Sequence, residues 1–109
     1  MQIGAGVTAA VYTVGSAQTA YIKSVLLHNL DTSTTQNVQV HIVQNSGGSP
    51  GTASSTTQIA RIGISTNDSF FFEPAYPITL TANGDTLQVY NEGFASNSIN
   101  VLVLGDKEV

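Results

Sequence analysis

Two histidines, seven carboxylates and three fixed cations are nearly all the ionisable chemistry in this 109-residue chain. His28 and His41 lie on segments that could pair across a short polar loop, so they are the first place to look for a metal. A zinc site needs about three convergent ligands, and only Asn29 or Asp31 stands near enough in sequence to join them. Two separate histidines with ordinary polar partners are expected. A serine nucleophile needs a histidine and an acid gathered around it. Serines are abundant, but no Gly-x-Ser-x-Gly elbow occurs. Glu73, Asp85 and Glu92 are the carboxylates available for a glycosidase pair. Asp85 follows an Asn-Gly turn, where its carboxylate can accept backbone N–H groups, and Glu73 precedes Pro74 at a strand end. Asp31, Asp68, Asn83 and Asp85 could hold calcium, but the Asp-x-Asp-x-Asp spacing is missing. The glycines of residues 46–51 are followed by neither a lysine nor a helix, so they make no phosphate loop. The chain is read as a non-enzyme, with no catalytic residue, cofactor or metal ligand assigned.

Composition narrows the classes further. Charged residues make up 9% of the chain, against roughly 25% in ordinary soluble domains. Ser, Thr, Asn and Gln supply the polar surface instead. Such a surface suits contact with neighbouring subunits, where charge is costly to desolvate; it equally suits a β domain in an extracellular setting. The net charge is −4, and Lys23, Arg61 and Lys107 are the only fixed cations. Nucleic-acid binding needs clustered Lys and Arg, so that role is excluded. No apolar run reaches membrane-spanning length. The opening MQIGAGVTAAVYT lacks the basic start and continuous apolar core of a signal peptide, so production without export is expected. Cysteine is absent, which removes disulfides and thiolate ligands.

The elements that must carry these residues are strands. Residues 77–91 (PITLTANGDTLQVYN) alternate apolar and polar side chains on either side of Ala82-Asn83-Gly84-Asp85. They predict two antiparallel strands with the turn built in. Residues 7–14, 36–45, 56–65, 69–74 and 98–104 read as further strands, with Tyr12 on the face opposite Val11. Residues 19–29 are apolar on both faces, which predicts a central strand with a bulge that shifts its phase. Together residues 19–45 predict a hairpin or a cross-sheet pair. Residues 46–55 predict a loop at one end of the domain, and residues 92–97 a turn. Residues 1–6 predict a loosely held arm or a first short strand, and this arm and the tail at residues 105–109 are expected to order only on contact with neighbours. Strands at spacings of about ten residues predict one all-β domain over residues 1–109, a jelly-roll-like antiparallel sandwich of about eight strands.

Two stretches, TAYIKSVLLHNLDTSTTQNVQVHIV and PITLTANGDTLQVYNEGFASNSINVLVLGDKE, resemble small structural proteins of tailed-bacteriophage virions. The shared pattern is a strand ending in Asn29, the Ser/Thr loop, a Val-rich strand, the Leu80 to Gly84-Asp85 turn, and a last strand near Gly105-Asp106. The resemblance implies a structural subunit in the virion. Its partners would be copies of itself and other virion proteins, with no nucleic acid and no membrane. Capsid decoration or cement is the first expectation; a tail, neck or fibre component is the next. A carbohydrate-binding module is the rival, with Tyr12, Tyr21, Tyr76, Tyr90 and Phe94 as its aromatic supply. Phe70, Phe71, Phe72 and Tyr76 are the candidate interface residues. In a strand Phe70 and Phe72 share one face and Phe71 takes the other.

Overall fold

The alternation is realised in nine strands and no helix in the computed structural model, which describes residues 1–93 and 98–108. One sheet runs β1 (Gln2–Gly4), β9 (Ser98–Glu108), β3 (Thr19–Asn29), and then β6 (Ser69–Phe72) and β7 (Ile78–Leu80), both along the far side of β3. The other runs β2 (Thr8–Thr13), β8 (Thr86–Asn91), β4 (Gln36–Val43), β5 (Gln58–Ile64). Every pairing is antiparallel. Because β6 and β7 flank consecutive parts of β3, they act as one edge strand interrupted at residues 73–77, where Pro74 and Pro77 cannot donate to a ladder. Counted so, eight strands wind between two four-stranded layers, as in a jelly roll.

Between the sheets, Ile22, Val25, Leu27, Val38, Val40, Leu87, Val89, Ile99 and their neighbours form one buried cluster. Each such side chain contributes roughly 1.5–3 kcal/mol. The phase shift in β3 is a bulge at Lys23: Ile22 lies across from Gly105 and Ser24 across from Leu104. It moves the buried set from Ala20 and Ile22 to Val25, Leu27 and Asn29. A second bulge in β2, between Ala10 and Tyr12, corrects the alternation expected there. Val11 and Tyr12 both pack against the core as a result.

The hairpin expected at residues 77–91 does not form. β7 and β8 lie in different sheets, and residues 81–85 make the corner between them. The turn type supplies the reason. Only Gly84 takes a positive φ, 91°; Asn83 does not. Positive φ at the third turn position alone belongs to a type II turn, whereas the tight hairpin turn with both central residues positive is type I′. Gly84 N–H donates to Val14 O, and Val14 N–H donates to Asp85 O, each at 2.9 Å, so the corner is sewn to the end of β2. Residues 19–45 are the cross-sheet pair. The expected tail is also corrected: Gly105 to Glu108 continue β9 against β3. The expected arm includes β1, paired with β9. Most of the turn expected at residues 92–97 lies outside the described residues.

Candidate functional site

His28 and His41 are held apart by the sandwich itself. His28 lies on the outer side of the five-stranded sheet, where its Nδ1 is 2.8 Å from Ser69 Oγ. His41 lies on the outer side of the four-stranded sheet, only 3% exposed. Its Nδ1 meets Thr57 Oγ1 at 2.8 Å and its Nε2 meets Gln39 Oε1 at 2.9 Å. Burial lowers its pKa, opposed by a hydrogen bond to the Ser54 backbone. The loop joining β4 to β5, expected merely at one end of the domain, folds over this outer face. There Gln88 Nε2 donates to Gly51 O at 3.0 Å and to Thr86 Oγ1 at 2.8 Å.

Two of the three candidate carboxylates, Asp85 and Glu92, are likewise tied to structural tasks. Asp85 Oδ1 accepts from Asn45 N at 2.8 Å and Asn45 Nδ2 at 3.0 Å, and Oδ2 accepts from Ala82 N at 3.2 Å. Burial works to raise this carboxyl. The bonds from Asn45, Ala82 and Thr81 outweigh it and hold the group below the usual carboxylate range. Glu92 receives Arg61 through two bonds of 2.8 and 2.9 Å and Gln39 Nε2 at 2.7 Å. The Arg61 bond dominates and lowers its pKa against burial, with Gln39 assisting. Asp85 and Glu92 stand at opposite ends of β8, about 23 Å apart at 3.3 Å per residue. A glycosidase pair needs no more than about 9.5 Å.

The proposed calcium ligands divide in the same way. Asp31 Oδ1 accepts Ser33 N at 2.9 Å and Oδ2 accepts Gln36 Nε2 at 3.3 Å. The Ser33 backbone bond is the main cause of its lowered pKa. Asp68 accepts Ser69 N at 2.8 Å. Asn83 and Asp85 belong to the opposite end of the sandwich. Among the described residues no group of three or more His, Cys, Asp or Glu could hold a metal ion.

These shifts fix a pH dependence. Asp31, Asp85 and Glu92 have folded pKa values below their unfolded ones near 4. Their stabilisation is fully present above that range and is lost as pH falls through the depressed values. His41 adds a loss in the same direction that begins below its unfolded value of about 6.5. Thermal melts are expected to fall from pH 7 toward pH 2. Asp85→Asn should be less stable at pH 7 and show a shallower acid limb; an unchanged acid limb would remove Asp85 from this account.

The aromatic side chains carry the remaining surface chemistry. Phe71 lies across from Leu26 on β3, and Leu26 lies across from Leu102 on β9. The three form one row over the outer side of the five-stranded sheet. Leu104 stands beside them, across from Ser24. Phe71 is 54% exposed, Leu102 52% and Leu104 43%. Phe72 turns inward and packs against the core. Phe70 has the inward register but stays partly exposed at the sheet edge, and Tyr76 projects from the excursion between β6 and β7. The tyrosines make no common platform. Tyr12 and Tyr21 line one cleft, Tyr90 lines a dimple with Gln39 and His41, and Phe94 lies outside the described residues. Sequence reasoning singled out Phe71 but missed Leu26, Leu102 and Leu104. Their signal was there: a strand with leucines on both faces has more apolar surface than one core can take. Searches of known protein families, characterised proteins and solved structures returned no match for this chain.

Proposed function

We propose that this domain is a non-enzymatic virion structural subunit, with capsid decoration as its first assignment. The observation that carries the reading is the outer row Phe71–Leu26–Leu102 with Leu104 beside it. Contiguous exposed apolar side chains on a rigid sheet are a contact surface. Polar groups border the row, with the His28–Ser69 pair on one side. Asp31, Asp68, Asp85, Glu92 and His41 already serve turns, loops and an ion pair, which supports a role in contact. The resemblance to tailed-phage virion proteins supplies the particle, and attachment to a capsid lattice would be repeated by symmetry.

Size-exclusion with light scattering, binding to assembled capsids, and glycan competition test it together. Phe71→Ala is expected to weaken assembly or capsid binding by about tenfold, the effect of losing roughly 1.4 kcal/mol of an interface anchor. Leu102→Asp should weaken it further. Both should melt close to the unsubstituted protein, since neither side chain is in the core. A monomer that ignores capsids and binds a sugar competitively would overturn the proposal in favour of a carbohydrate-binding module.

A further inference from the structure

The two edges of the five-stranded sheet are finished differently among the described residues. One edge, β6 and β7, is interrupted by the excursion carrying Pro74 and Pro77, and prolines on an edge block further pairing. The other edge belongs to β9. There β1 pairs with Ser98 to Asn100, and Met1 exchanges backbone hydrogen bonds with Val101 at 2.7 and 2.9 Å. No described strand flanks residues 102–108 on that side. Backbone groups alternate sides along a strand. Since Val101 faces β1, the N–H and C=O groups of Val103, Gly105 and Lys107 face the open side. An open ladder of this length is a template for another strand. On its inner side lies a cleft of about 270 Å³ lined by Tyr12, Ile22, Val103 and Gly105, with room for the inward side chains of an added strand.

We propose that a second copy of this chain adds to this edge, β9 against β9, about a twofold axis at Gly105. The proposal rests on the structural reading above and deepens it by naming one partner and the edge by which it joins. The open edge is symmetric about Gly105, which makes it self-complementary. In this register Val103 lies across from the partner's Lys107, and Gly105 across from the partner's Gly105. All three open positions on each copy are then used, in about six backbone hydrogen bonds, two per hydrogen-bonded pair. Other twofold registers fail. An axis at Asp106 or Lys107 sets like charges directly opposite, which is destabilising. An axis at Val103 sets the partner's Gly105, and an axis at Leu104 the partner's Lys107, in the position of Met1, whereas the axis at Gly105 keeps residues 103–108 of both copies clear of it. With the axis at Gly105, Asp106 faces the partner's Leu104, and each Asp106 arrives already paired with its own Lys23 at 2.6 Å. On the outer face the two Leu104 side chains meet diagonally across the axis, each beside the partner's Asp106, and Leu102 lies across from the partner's Glu108.

Sedimentation equilibrium on three proteins tests this. The unsubstituted chain is expected to dimerise with rising concentration. Lys107→Pro removes an N–H that faces the open side and leaves the β3 ladder intact, so it should stay monomeric with its β spectrum preserved. A Leu104→Cys, Asp106→Cys double variant should form a covalent dimer on oxidation. Those two positions make a non-hydrogen-bonded pair across the axis with Cα atoms about 4.5 Å apart, within disulfide reach, and the chain has no other cysteine. A chain monomeric at every concentration, or a dimer that survives Lys107→Pro and yields no cross-link, overturns the proposal. Capsid binding separates the two readings: a monomer that still binds capsids through Phe71 overturns the edge alone, and one that binds nothing overturns both.

Discussion

Asn29→Ala is expected to lower the unfolding free energy by about 3 kcal/mol and the Tm by roughly 10–15 °C. Asn29 ends β3 in one sheet and is fully buried. Its Nδ2 donates to Ile64 O at 2.9 Å, to Thr34 O at 3.0 Å and to Ser65 O at 3.2 Å. Its Oδ1 accepts Asp31 N at 2.8 Å. Ile64 ends β5 in the other sheet, so a single amide ties the two layers together where the chain crosses between them. Alanine would leave the Ile64 carbonyl buried without its donor, and a buried orphan group costs about 1–3 kcal/mol. The loosened Asp31 loop adds to that. Asn29→Asp separates hydrogen bonding from volume, because it keeps the shape and faces three carbonyls with a negative charge. It should be at least as damaging as alanine. Denaturant unfolding checks both, and a loss below about 1 kcal/mol for alanine would show that the tie is dispensable.

Gly84→Ala is expected to cost a comparable amount, about 3 kcal/mol. Gly84 sits at φ 91°, which alone strains any side chain. A Cβ there would also lie 2.7 Å from Gly48 O and 2.9 Å from Asn45 Cβ. The obstacle is largely backbone, and it can withdraw only by disturbing the Asn45–Asp85 bonds that lock the corner. Gly47→Ala is the matched control. It too has a positive φ, 62°, but nothing lies within 4 Å of the added carbon. It should cost only the strain, about 1 kcal/mol. Equal losses at the two positions would mean that the contact with the loop adds nothing.

Much of the fold could be read before any coordinate. The bulge in β3 followed from a strand apolar on both faces, because a pure period of two would have buried Lys23 or exposed Val25. Ala60, Ile62 and Ile64 faced the core as their alternation demands. The local role of Asp85 was legible in its turn, although its longer reach to Asn45, forty residues away, was not. The misreading at residues 77–91 has a clear cause. Alternation reports that two segments are strands, and Asn-Gly reports that the chain reverses; neither reports which sheet receives the second strand. The φ of Asn83 decided that, together with the bonds from Gly84 and Asp85 to Val14. The tail was misread because Asp106, Lys107 and Glu108 look like a solvated end, whereas at a sheet margin strand backbone can pair while its side chains stay in water.

By itself, then, the sequence determined the all-β class, the alternating faces and the residues that serve turns, because these depend on neighbours in the chain. The tertiary structure alone decided the rest. It put His28 and His41 on opposite outer faces, set Asp85 and Glu92 at opposite ends of β8, aligned Phe71, Leu26 and Leu102 across three strands, and left one edge of β9 open. Each of these depends on which strands become neighbours. That choice is made by contacts between residues far apart in the chain, which no local pattern encodes.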